Sequence, residues 1–137
     1  MKNLATSVIF IVSILMIQNA KADQEREVLT PDETILGSEL IDFPNDSNIF
    51  ADKSDFHLLH TIIMSNAKGE RWATITISNK ASGRRSFHQD QLLALLADGS
   101  RRFPLSFSRE FKSGETASVL VNFGPSQFPI LKIMTRN

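Results

Sequence analysis

The run Ala73-Thr74-Ile75-Thr76-Ile77-Ser78 alternates apolar and hydroxyl side chains residue by residue. Successive side chains of an extended chain point to opposite sides, so a period of two marks a strand with one face buried. The same period recurs at 117–123, where Ala117, Val119, Val121 and Phe123 share a face, and at 101–107, where Arg101, Phe103, Leu105 and Phe107 do. Further apolar runs begin at Ile35, Leu40, Leu58, Leu92 and Ile130. Turn-forming groups such as Pro44-Asn45-Asp46, Asn66-Ala67-Lys68-Gly69, Asp98-Gly99 and Lys112-Ser113-Gly114-Glu115 separate them. Short runs punctuated in this way predict an all-β sandwich or barrel. Pro104 lacks an N–H, which places its strand at an edge or beside a bulge. Residues 89–97 are ambiguous, because Gln, Leu and Ala favour helix, but the Asp98-Gly99 turn between apolar runs favours a hairpin. A single helical turn at Gln89–Gln91 is compatible with either.

The N-terminus carries an address. Lys2 precedes an uncharged stretch of fourteen residues, 4 to 17, and Ala20-Lys21-Ala22 follows as a small-residue cleavage site. The run falls short of the ~20 residues that cross a bilayer, and the arrangement predicts a secretory signal peptide over 1–22, cut between Ala22 and Asp23. Residues 23–34, polar and interrupted by Pro31, are expected to be a flexible acidic leader. Residues 35–137 are long enough for one domain with its own core. The chain has no cysteine, which excludes disulfides and thiolate metal sites and leaves packing to supply stability.

Zero net charge conceals a split. Residues 23–55 carry ten acids against Arg26 and Lys53, a net of −8, and residues 56–137 carry eleven bases against five acids, a net of +6. The acidic segment is expected either to lie along the basic surface of its own domain or to leave one pole for a charged partner.

Taken in order, Trp72–Ser82, the strand ending at Asp98-Gly99, the Lys112-Ser113-Gly114-Glu115 turn into a Val-rich strand ending at Phe123, and a closing strand at Ile130–Ile133 resemble the small immunoglobulin-like domains of exported bacterial proteins. The resemblance covers about residues 57–135. It implies an immunoglobulin-like antiparallel β-sandwich of about seven strands and no shared catalytic residues, since Asn79, Asp98, Gly99, Gly114, Glu115 and Phe123 are turn and core positions. The chain departs from the cysteine-bridged members.

Functional candidates are few. Ser54-Asp55-Phe56-His57 and His88-Gln89-Asp90 contain nucleophile and base residue types, but no G-x-S-x-G or comparable motif surrounds a serine, and the expectation is a non-enzyme. His57, His60 and Met64 are weak metal candidates, because residues 57 and 60 of a regular strand point to opposite faces. No cofactor is expected. Two arginine pairs, Arg84-Arg85 and Arg101-Arg102, follow turns and are either solvated or a site for an anionic glycan, lipid headgroup or acidic protein. Nucleic acid is disfavoured for an exported chain. Trp72 falls on the outward side of its strand and is a candidate interface anchor. The chain is therefore expected to be a periplasmic or secreted bacterial interaction domain that binds another envelope or extracellular protein, with no membrane span after processing. Anion binding through the arginines and metal carriage are the alternatives.

Overall fold

The computed structural model describes residues 28–33 and 49–137. The signal peptide, the Ala22–Asp23 cleavage site and the first strand expected at 35–43 lie outside the described residues. Among the described residues no helix is long and apolar enough to cross a membrane.

The protein is an all-β antiparallel sandwich. Among the described residues the largest sheet has four strands in the order β1 (Thr30–Pro31), β2 (Phe56–Ser65), β3 (Glu70–Asn79) and β8 (Thr116–Pro125). A three-stranded sheet runs β6 (Arg101–Arg102), β5 (Leu93–Leu96), β9 (Ile130–Met134), and β4 (Arg85–His88) pairs with β7 (Ser108–Phe111). Alternation places Ala73, Ile75 and Ile77 of β3 and Val121 and Phe123 of β8 on the inner face. They meet Leu92, Ala94, Leu96, Ile130 and Ile133 from the opposing layer in one core. Phe87 and Phe111 bring the two-stranded sheet into the same core. Their rings pack edge-on against Phe56 at 4.9 and 5.3 Å between centroids, within the range where aromatic pairs add attraction beyond buried area.

The ambiguous stretch resolves as both features. Gln89–Gln91 form a single 3₁₀ turn and Leu93–Leu96 are strand. The Gly99 amide then donates to the Leu96 carbonyl with Gly99 at φ 83°, a left-handed conformation that glycine adopts without a Cβ clash. Gly114 serves the Lys112–Glu115 turn in the same way, at φ 70°.

Asn79 locks that turn to the end of β3. Its side chain, fully buried, donates to the carbonyls of Gly83 and Lys112 at 2.9 Å each, and its Oδ1 accepts from the Ala81 amide at 3.0 Å. Its backbone pairs with Glu115 and Gly114.

One expectation is corrected. The alternating strand through Phe107 stops after Arg102, because Pro104 cannot donate to a ladder. Beyond it the Leu105 amide bonds to the Asn122 carbonyl at 2.7 Å, Leu105 is exposed, and Phe107 turns in against Phe87. Of the segment expected to be a flexible leader, residues 28–33 are described, and they include a short paired stretch. Thr30 and Pro31 lie antiparallel to Ser65 and Met64, and Asp32 accepts from the Ser65 hydroxyl and lies 3.9 Å from the Arg71 guanidinium.

Candidate functional site

Residues directly opposite each other on antiparallel strands share a face, so the register defines what the large sheet presents to solvent. One row across the outer face is Pro31, Met64, Trp72 and Asn122, the next is Ile62, Thr74 and Leu120, and the third is His60, Thr76 and Ser118. None of these positions is Asp, Glu, Lys or Arg. The second row leaves two large aliphatic side chains in water, with Ile62 41 % and Leu120 51 % exposed, and Leu105, whose amide is tied to the Asn122 carbonyl of the first row, is 57 % exposed. The third row is polar, and the hydroxyls of Thr76 and Ser118 bond to each other at 2.8 Å. An antiparallel sheet with one face on the core ordinarily turns a polar face to solvent. Here half of that face is apolar.

Trp72 stands on the outward side, where the sequence placed it, but it is half-buried between Met64 and Asn122 and forms the floor of the apolar zone. Its Nε1 is buried with no hydrogen-bond acceptor among the described residues.

The arginines are brought to opposite ends of the sandwich. Arg85 reaches Asp55 at 3.3 Å and Arg84 reaches Glu110 at 3.2 Å. Asp55 adjoins Phe56, which lies opposite Asn79 at the far end of β3. Arg102 instead donates to the carbonyls of Phe123 and Pro125, and Pro125 lies opposite Glu70 at the near end. A ten-residue strand is about 30 Å long, so the pairs do not make one patch. Arg101 diverges from Arg102, donating to the Ile49 carbonyl at 2.8 Å with its guanidinium 5.3 Å from the Phe50 ring centre. These guanidiniums tie loops and strand ends together. Asp32 on Arg71 and Asp55 on Arg85 also show acids of the N-terminal segment lying against bases of the body.

The histidines differ from expectation in an informative way. His57 pairs with Ser78, His60 pairs with Thr76, and Leu59 is an extra residue between them. Ser78 and Thr76 are two apart on β3 and share a face, so the bulge at Leu59 sets both histidines on the outer face rather than on opposite ones. Met64 lies four residues beyond His60, about 13 Å along the strand, and is not part of this pair. No group of three or more His, Cys, Asp or Glu side chains lies together among the described residues.

For hydrolytic chemistry the nearest approach is Ser108 Oγ, 3.3 Å from His88 Nδ1. The Asp90 carboxylate, the sequence neighbour that would have to orient His88, accepts instead from the Gln89 side-chain amide. The Ser54 hydroxyl accepts from the Phe56 amide and caps the start of β2.

An open groove of about 450 Å³ lies beside the apolar zone, lined by Ala67, Lys68, Gly69, Arg71 and the Pro125–Gln127 loop. Arg71 crosses it to donate to the Ser126 and Gln127 carbonyls, which makes the groove a seam between two turns. No family model, curated protein or solved structure matches the chain.

Proposed function

We propose that the protein is a non-catalytic, exported interaction domain of the bacterial periplasm or exterior. It binds another protein through the outer face of its large sheet, centred on Ile62, Leu120 and Leu105 over Trp72. One observation carries the reading: the surface rows of a chain that is 22 % charged are uncharged here and hold exposed aliphatic side chains. Contiguous apolar surface with a polar border marks protein contacts. An uncharged face suits a partner with an apolar patch of its own and gives an anionic glycan or lipid headgroup nothing to pair with. Export rests on the N-terminal signal pattern, and the immunoglobulin-like assignment rests on the resemblance of residues 57–135. Three strands spaced ~4.8 Å apart give a face of about 300–400 Å², roughly half of a standard interface side. The contact is therefore of the transient class or extends onto the rim around Leu59.

The test begins with a photo-crosslinking residue at Leu120 in the producing cell, followed by titration of the purified partner. Leu120→Glu and Ile62→Glu should each weaken binding at least 10-fold without changing stability, and raising ionic strength should change it little. Binding that ignores both substitutions, that falls steeply with salt and with Arg84→Ala or Arg85→Ala, or that proves to be self-association alone, overturns the reading.

A further inference from the structure

The irregularity in β2 reverses the relation between its two histidines. In an unbroken strand His57 and His60 would face opposite sides, but the extra residue at Leu59 moves the pairing from Leu58 opposite Ile77 to His60 opposite Thr76. The pair therefore occupies the positions that residues i and i+2 hold on a regular strand face, opposite Ser78 and Thr76, about 7 Å apart along the chain. Both imidazoles are exposed, on the face that also carries the bonded Thr76 and Ser118 hydroxyls. Bulges re-aim side chains and cluster where a function needs a side chain in a non-alternating position.

We infer that His57 and His60 together form a two-imidazole site for a late first-row divalent cation. Neutral imidazole is a borderline ligand that suits Cu(II), Ni(II) and Zn(II), and the usual order of affinities puts Cu(II) first. Each ring supplies one nitrogen at about 2.0–2.1 Å. With no third His, Cys, Asp or Glu gathered around them among the described residues, the remaining positions are filled by water, which the Thr76 and Ser118 hydroxyls can hydrogen-bond. Such a site is open and exchangeable. It borders the apolar rows but does not depend on the protein-binding reading, and a docked protein could supply a further ligand.

The experiment is calorimetric titration of the full mature chain with CuCl₂, NiCl₂ and ZnCl₂, paired with electron paramagnetic resonance of the Cu(II) form. One cation per chain, Cu(II) tightest, and two equatorial imidazole nitrogens are expected. His57→Ala and His60→Ala should each weaken Cu(II) binding at least 10-fold, and His88→Ala, on β4, should leave it unchanged. Deleting Leu59 removes the bulge but leaves His57 opposite Ser78 and His60 opposite Thr76 as i and i+2 of a regular strand, so the two-nitrogen signal should persist. Should that deletion unfold the chain, the two alanine variants decide the matter alone, since both positions are exposed. Cu(II) binding that is unchanged in the His57→Ala/His60→Ala double variant, that shows one imidazole nitrogen, or that is no tighter than millimolar overturns the inference. These outcomes are independent of Leu120→Glu, so a failed metal site and a failed protein interface are distinguishable.

Discussion

Replacing Asn79 by alanine should destabilise the protein more than any surface substitution, because one side chain satisfies three backbone groups from two turns. The substitution removes donors to the Gly83 and Lys112 carbonyls and the acceptor for the Ala81 amide, at 2.9, 2.9 and 3.0 Å. A hydrogen bond contributes about 0.5–1.5 kcal/mol net, and buried groups left without partners push towards the top of that range. The expected cost is therefore about 2–4 kcal/mol. In urea, with a slope of about 1–3 kcal/mol/M, the midpoint should fall by roughly 1–3 M. Asn79→Asp separates hydrogen bonding from shape. Its carboxylate keeps the bond to the Ala81 amide but directs a second oxygen at the Gly83 and Lys112 carbonyls, so repulsion and burial raise its pKa in the folded state. A carboxyl with a raised folded pKa costs nothing below its unfolded value near 4 and progressively more as pH rises towards the folded value. The Asn79→Asp deficit should consequently be largest at pH 7 and shrink as pH falls towards 4. A cost below about 1 kcal/mol for Asn79→Ala, or an Asn79→Asp deficit independent of pH between 4 and 7, would refute this account of the turn.

Phe87 has no exposed surface and packs against Phe56, Phe107 and Phe111, so Phe87→Ala should cost about 3–5 kcal/mol in equilibrium denaturation. Asp98 is held below the ordinary carboxylate value, first by the Ser100 hydroxyl and then by the Ser100 amide. A lowered folded pKa means that the turn contact is present above about pH 4 and is lost as pH falls through the depressed value. A carboxyl-detected NMR titration should place the Asp98 midpoint below that of a free carboxylate, and Ser100→Ala should raise it; an unchanged midpoint would count against the hydroxyl as the main cause.

The residues of β3 and β8 declared their inner faces in the sequence, because a period of two is a local property of an extended chain and Ala73, Ile75, Ile77, Val121 and Phe123 need only one buried side to explain them. Gly99 and Gly114 marked their turns for an equally local reason, since each supplies a positive φ. Trp72 could be assigned to the outward face by counting alone. Pairing decided the rest. The end of β6 at Arg102 follows from Pro104 together with the neighbour that the next amide finds, Asn122 on β8. The arginine pairs looked alike in sequence, yet Arg84 and Arg85 meet carboxylates at one end of β3 while Arg102 binds carbonyls at the other. Those partners lie between 21 and 30 residues away in the chain. The bulge at Leu59 is the clearest case. Nothing in His57-Leu58-Leu59-His60 announces an extra residue, because a bulge exists only relative to the strand opposite, and only the register with β3 puts both histidines on one face.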